Sequence, residues 1–236
     1  MTGSQSKLDD AMVLAARTIV EKHLRNGIIL GLGSGSAVAK FANVLGETIT
    51  DGSARDISIV PSSMQAWNLA IENSLPLHPD SAHCPKTIDI TIDGADQVSP
   101  TTRSMIKGGG GALLREKIIL TASTQAYILV DSSKIARKLD RSIPVEVIQF
   151  AANSTQEKIR RELKAKPRLR KLDKGYPFFT ESGNIILDCD FPEPIEDPIH
   201  TEQSLKNIPG VIEAGVFTCK VDKFYVGNPT GDLDSY

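Results

Sequence analysis

Four short apolar runs each end in a cluster of glycine, serine, aspartate or proline, and helical segments separate them. Residues 28–32 run into Gly33-Ser34-Gly35-Ser36, and residues 57–60 into Pro61-Ser62-Ser63. Residues 87–92 deliver Asp93-Gly94-Ala95-Asp96, and residues 126–130 deliver Asp131-Ser132-Ser133-Lys134. Apolar residues at helical spacing mark residues 8–24, ending near Gly27, and residues 37–45. A third helix, capped by Ser62 or Ser63, reaches Glu72, and a fourth covers residues 112–120. Strands alternating with helices predict an α/β fold: an open, mostly parallel, Rossmann-like sheet flanked by helices. Ligands of such sheets bind outside the carboxyl ends of the strands, where all four polar clusters fall.

The pattern changes after about Arg137. Residues 144–148 read as a strand leaving the first layer, and Asn153 or Ser154 starts a helix reaching Lys164. Residues 168–171 and 178–180 read as strands. The turn Glu181-Ser182-Gly183-Asn184 precedes another strand at residues 185–187. A helix over residues 199–208 stops at Pro209-Gly210. This predicts a second, smaller α+β domain over residues 137–210, a lid or an oligomerisation element. Residues 211–217 and 220–226 are expected to return to the main sheet, so the catalytic domain is residues 1–136 plus 211–236. Residues 227–236 read as a loose polar tail.

A net charge of −2 and a pI near 6.1 argue against a nucleic-acid surface. No apolar run approaches the ~20 residues that span a bilayer. The polar start, Met1 to Asp10, lacks a signal-peptide pattern. Cys84, Cys189 and Cys219 show no metal-type spacing and read as buried reduced thiols of a cytoplasmic protein. His78 and His83 lie in a proline-flanked loop, and no metal is expected there.

The chemistry concentrates in a few segments. Lys107 is followed by four glycines, Gly108 to Gly111. With no side chains in the way, backbone amides there can approach an anion closely. Glu116 follows on a nearly continuously apolar helix. A carboxylate in that setting is neutralised by a neighbour or held ready to accept a proton. Gly31-Leu32-Gly33-Ser34-Gly35-Ser36 lies between a strand and a helix, as phosphate-binding loops do. A dinucleotide fingerprint fails there, because Ser36 stands at the third glycine and Val60-Pro61 at the acidic position. A small-phosphate loop fits better, and a plain tight turn is the structural alternative. Asp93 and Asp96 can accept sugar hydroxyls or steer protons, and an Asx turn is their bland counterpart. Lys134 reads either as a phosphate contact or as an exposed lysine on a capping turn. Trp67 reads as packing.

Taken in order, these motifs resemble type A ribose-5-phosphate isomerase. The segments are Gly31 to Ser36, Val60-Pro61-Ser62-Ser63, Asp93 to Asp96, Lys107 to Lys117, Asp131 to Lys134 and Pro144-Val145-Glu146-Val147. The Gly183-Asn184 turn and the segment from Ile208 to Phe217 match too, so the resemblance covers nearly the whole chain.

The resemblance implies interconversion of ribose 5-phosphate and ribulose 5-phosphate without metal or cofactor. Glu116 matches the proton-transferring glutamate. Asp93 and Asp96, with Gly94 and Ala95 between them, match the carboxylate loop that holds the sugar. Lys107 with Gly108, Gly109 and Gly110 matches the lysine loop. Ser34, Gly35, Ser36 and Ala37 match the phosphate loop, and Lys134 matches a substrate-binding lysine. The implied partner is a small sugar phosphate, with neither nucleic acid nor membrane, in a homodimer or tetramer.

This chain departs from the family pattern in several places. Threonine is usual at Ser34 and frequent at Ala37, and glutamate is usual at Gln97. Asp9 and Asp10 stand near where relatives carry a lysine, beside Lys7. Two other functions use related folds: a sugar-phosphate sensor without catalysis, and an acyl transferase with a nucleophilic glutamate. The first strand begins at Ile28, which leaves no room before it for a sensor's DNA-binding module, and no coenzyme A site is recognisable.

Overall fold

The computed structural model describes residues 3–80 and 83–236; of the polar start, Met1 and Thr2 lie outside this range. The chain begins with α1 (Gly3–His23), β1 (Ile29–Leu32), α2 (Ser36–Thr50), β2 (Ser58–Pro61), α3 (Met64–Glu72) and β3 (Ile88–Asp93). It continues with β4 (Gln97–Ser99), β5 (Ser104–Ile106), α4 (Leu113–Ala122), β6 (Ser123–Asp131), β7 (Ile143–Val147), α5 (Ala152–Leu163) and β8 (Lys166–Leu169). The last elements are β9 (Ile185–Asp190), α6 (Pro198–Lys206), β10 (Val211–Ala214), β11 (Val216–Phe217), β12 (Lys223–Gly227) and β13 (Leu233–Ser235). Two compact units divide them. The first is residues 1–94, 115–134 and 220–236; the second is residues 95–114 and 135–219.

The first unit holds a six-stranded sheet in the order β13-β12-β6-β3-β1-β2. Every pairing is parallel except that of β12 with β13. The chain leaves β1 toward β2 on one side and returns to β3 on the other. The strand order therefore reverses between β1 and β3, the crevice where such sheets bind ligands. Helix α1 buries Ala11, Met12, Ala15, Ala16, Ile19 and Val20, and α2 buries Val38, Phe41, Ala42 and Leu45. These stripes recur at helical spacing and join Leu30, Leu32, Ile90 and Ile92 in one core. Helix α4 packs elsewhere, with Ile119 against Val60 and Ile88. Gly31 must be glycine, because a Cβ there would meet Thr91 Oγ1 at 2.1 Å and Ile119 Cγ2 at 2.5 Å.

The second unit holds an antiparallel sheet β10-β7-β9-β8 and a smaller one, β11-β5-β4. Ile106, Val145, Ile159, Ile185, Leu205 and Val216 share its core. As expected, β7 leaves the first sheet and α5 and α6 follow it. The smaller sheet was not foreseen: β4 and β5 form a hairpin between Asp96 and Lys107.

Five expectations are corrected. Residues 211–217 do not return to the main sheet. Gly215 N–H donates to Pro144 O at 2.7 Å, and Gly215 O accepts Lys107 N–H at 2.9 Å. The chain therefore switches there from pairing with β7 to pairing with β5. The second unit is accordingly larger than residues 137–210. Residues 178–180 form only an isolated bridge, Phe179 with Ile185. The tail is not loose: Gly231 N–H closes a turn on Asn228 O at 3.0 Å, and β13 pairs with β12. Of the cysteines, only Cys189 is buried; Cys219 is intermediate and Cys84 exposed. Among the described residues, no helix is long and apolar enough to cross a membrane.

Candidate active site

In the first unit the loops after β1 and β3 interlock. Gly33 N–H donates to Ile92 O at 2.9 Å. Asp93, fully buried, turns its Oδ1 toward Gly94 N–H at 2.7 Å and Ser34 N–H at 3.3 Å. One carboxylate oxygen therefore fixes the course of both loops. Gly33 leaves space for it: a Cβ there would fall 1.9 Å from Asp93 Oδ1. At Gly94 a Cβ would meet Ser34 O at 3.6 Å and Ala37 Cβ at 3.8 Å, ordinary contact distances.

Gly35 caps α2 with φ 94° and ψ 177° and makes no side-chain capping bond. A helix N-terminus without a cap presents amide donors and the positive end of the dipole, as an anion needs. Gly35 N–H itself donates to Gln65 Oε1 at 3.0 Å. Gln65 belongs to α3, whose start is fixed by Ser63 Oγ accepting Ala66 N–H at 3.1 Å. The serine loop after β2 thus enters the site through Gln65, a role invisible in the motif itself.

Ser34 Oγ donates to Glu116 Oε1 at 2.5 Å. Glu116 lies in the first turn of α4 and is only 4% exposed. The helix dipole favours a carboxylate at that position. Expected site residues Ser34, Asp93, Gly94 and Glu116 are therefore joined by direct contacts. Ser36 opens α2, and Ala37 follows it. Lys134 ends a 3₁₀ turn, Ser132–Lys134, beyond β6, the strand beside β3.

In the second unit Asp96 Oδ2 accepts Gly109 N–H at 2.8 Å. Asp96 N–H donates to Ile106 O at 2.8 Å, which ties Asp96 to the end of β5. Ala95, beside it, is half-buried. Lys107 is 3% exposed, and its Nζ lies 5.9 Å from the Phe217 ring centroid. Gly108 and Gly111 have φ of 104° and 84°, which other residues adopt only with strain. Gly109 and Gly110 are exposed.

The departure at Gln97 has a physical partner. Gln97 Nε2 donates to Asp140 Oδ1 at 2.6 Å, while its Oε1 accepts the backbone N–H groups of Asp140 and Arg141 at 2.8 and 3.1 Å. A glutamate could not donate to Asp140. On α1, Asp9 pairs with Lys40 of α2 at 2.9 Å. Among the described residues, no three His, Cys, Asp or Glu side chains gather as a metal ion would require.

In the first unit, a parallel sheet with an uncapped helix N-terminus beside a buried carboxylate is an α/β arrangement able to receive an anion. Comparison with known proteins is more specific. The family model for ribose 5-phosphate isomerase A (phosphoriboisomerase A) matches residues 58–231. The ribose-5-phosphate isomerase A of Prochlorococcus marinus is 38% identical over 231 residues, 97% of this chain and 96% of that one. The Methanosarcina acetivorans protein of the same name is 38% identical over 234 residues, 99% and 97% of the two chains. A solved D-ribose-5-phosphate isomerase in complex with phospho-erythronic acid aligns with a TM-score of 0.88 at 35% identity, covering 96% of this chain and 97% of that one. The Methanocaldococcus jannaschii ribose 5-phosphate isomerase A structure gives 0.86 at 35% identity, covering 97% and 98%. The chain belongs to the ribose 5-phosphate isomerase A family and is an isomerase.

Proposed function

We propose that this chain interconverts D-ribose 5-phosphate and D-ribulose 5-phosphate through a cis-enediolate, with Glu116 as the base, in the non-oxidative pentose phosphate pathway. The observation that carries this reading is the bond from Ser34 Oγ to Glu116 Oε1 at 2.5 Å, which joins the anion loop to a buried carboxylate. Within the loop Ser34 to Ala37, the amides of Ser36 and Ala37 and the Ser36 hydroxyl receive the phosphate, Ser34 and Gly35 shape the loop through Asp93, Glu116 and Gln65, and Lys134 adds charge. Asp93 or Asp96 accepts a sugar hydroxyl and assists ring opening, with Gly94 and Ala95 shaping that loop.

Glu116 then takes the proton from carbon 2 of the open aldehyde. The electron pair of that bond forms the carbon 1–carbon 2 double bond, and the aldehyde oxygen becomes negative. Lys107 and the amides of Gly108 and Gly110 stabilise that oxygen, commonly the largest catalytic contribution, while Gly109 N–H stays on Asp96 Oδ2. Returning the proton from Glu116 to carbon 1, with transfer of the carbon 2 hydroxyl proton to the negative carbon 1 oxygen, yields the ketose and restores the carboxylate. Three cysteines without metal-type spacing fit a reducing, cytoplasmic setting, and the family resemblance adds a homo-oligomer, dimer or tetramer.

Replacing Glu116 with glutamine keeps the shape and a hydrogen-bonding oxygen for Ser34 but removes the base. The expected result is a kcat reduced by about 10³-fold or more, with substrate affinity held within about threefold. Normal turnover by Glu116→Gln would refute the assignment.

A further inference from the structure

A run of four glycines has no conformational preference strong enough to hold one shape. Within the run, Gly111 N–H donates to Gly108 O at 3.0 Å; the other contacts that orient the Gly108 and Gly109 peptides come from outside it. We propose that Arg170 is the positioning residue for the lysine–glycine loop; this rests on the reading above that Lys107 and its glycines serve the substrate.

Arg170 lies just beyond β8, 62 residues from Gly108 in sequence, and its backbone is pinned on both sides. Its N–H donates to Ile186 O at 2.8 Å, and its carbonyl accepts Phe178 N–H at 3.0 Å. The guanidinium is then aimed by a carboxylate. Nε and Nη2 donate to the two oxygens of Asp188 at 2.9 and 2.5 Å, a bidentate pair with side chains 16% and 22% exposed. The remaining nitrogen, Nη1, donates to Gly108 O at 2.8 Å and Gly109 O at 3.0 Å. The five donors of arginine are fixed in one plane, so Asp188 settles where Nη1 points.

The consequence for the loop follows from peptide geometry. In a planar trans peptide the C=O and the following N–H point in opposite directions. With the carbonyls of Gly108 and Gly109 turned to Arg170, the N–H groups of Gly109 and Gly110 are turned away from it. The first of these meets Asp96 Oδ2 at 2.8 Å. Residue 109 is thus gripped between a cation on its carbonyl and a carboxylate on its amide, and the next amide is oriented with it. Phe178 closes the far end: a Cβ at Gly111 would stand 2.5 Å from its ring, which also lies 5.9 Å from the guanidinium carbon. Arg170 and Asp96 impose from outside the shape that the glycines leave open.

The test is Arg170→Lys in the full-length chain, with Arg170→Ala as a second variant. Lysine keeps the charge but cannot bond Asp188 bidentately and both carbonyls together. Four quantities are measured: kcat, KM for ribose 5-phosphate, the thermal midpoint and amide exchange at Gly109 to Gly111. Misplacement of a catalytic loop by an ångström costs up to about 100-fold, so kcat should fall by roughly 10- to 100-fold, with KM within about threefold. Exchange at the glycine amides should accelerate while the protein stays folded at the assay temperature. Guanidinium salt at concentrations that leave the wild type folded should restore Arg170→Ala by at least about tenfold, and sodium chloride of equal ionic strength should not. Wild-type kcat with unchanged glycine exchange would overturn the proposal. So would a loss that only tracks the unfolded fraction and resists guanidinium. The underlying reading fails separately: it falls if the unmutated chain does not isomerise ribose 5-phosphate, whatever the variants do.

Discussion

Gly33→Ala is a single methyl group placed where the structure has least room for it. The added Cβ would lie 1.9 Å from Asp93 Oδ1, 2.1 Å from its Cγ and 2.7 Å from its Cβ. Non-bonded contact requires about 3.4 Å or more, so the carboxylate must recede by about 1.5 Å. Asp93 is fully buried and has no solvent to swing into. Its Oδ1 accepts Gly94 N–H at 2.7 Å and Ser34 N–H at 3.3 Å, and both contacts are lost on such a shift. Bonds to a charged group contribute about 1.5–3 kcal/mol each; allowing for the length of the second and for partial relaxation, the expected destabilisation is about 2–4 kcal/mol. In a chain of this size that lowers the thermal midpoint by roughly 5–15 °C.

The effect on activity should be larger, because Ser34, which bonds Glu116, moves with the loop. A displacement beyond an ångström predicts kcat/KM lower by about 100-fold or more. Gly231→Ala is the control. Its φ of 98° is strained for alanine, but no atom lies within 4 Å of the new Cβ. It should cost about 1–2 kcal/mol of stability and leave kcat/KM unchanged. Steady-state kinetics and thermal unfolding of both variants decide the matter. Wild-type kcat/KM in Gly33→Ala would show that Asp93 need not stay where it is, and would remove it from the site.

Two further outcomes are expected. Gln97→Glu places a carboxylate against Asp140, and because Asp140 is exposed the penalty should be only about 1–2 kcal/mol. The penalty should fade as pH falls and one carboxyl protonates, and Asp140→Asn added to the variant should abolish it; a double-mutant cycle with no coupling would contradict this. His23 stacks on Tyr127 with centroids 4.0 Å apart and shares a 2.6 Å hydrogen bond with the Tyr225 hydroxyl. Burial first, then Lys223 and Lys22, hold its pKa below 6.5. The unfolded imidazole then binds its proton more readily than the folded one. The stability tied to neutral His23 is therefore complete above about pH 6.5 and is lost as pH falls through the lower folded value. Denaturant melts from about pH 7 to about pH 5 should show a shallower decline in His23→Gln than in the wild type, and equal slopes would be the contrary result.

What the sequence discloses and what it hides divide along physical lines. The parallel strands were legible because each is a short apolar run ended by its own turn residues, and Ser63 announces α3 as a capping serine should. The site residues were legible as types at strand ends. Their linkage was not, since nothing local says that Ser34 reaches Glu116, 82 positions away. Arg170 shows the same limit: it stands 62 residues from Gly108, and its side chain is committed by Asp188 and Phe178, which only tertiary structure brings near. The path of residues 211–217 was misread because one apolar run serves two sheets. The switch at Gly215 depends on Pro144 and Lys107, far away in sequence. The final hairpin was misread because its polar residues suggested a tail, although Pro229 and Gly231 carry the turn signal.

Proton exchange during turnover tests the central claim most directly. Ribose 5-phosphate is incubated with the protein in deuterated water, and carbon-bound deuterium is followed by NMR in the wild type and in Glu116→Gln. The wild type should form ribulose 5-phosphate carrying deuterium at carbon 1 and should exchange carbon 2 of the aldose, while Glu116→Gln should lose both by about 10³-fold. Undiminished exchange in Glu116→Gln would contradict the account, because a group other than Glu116 would then be moving the proton.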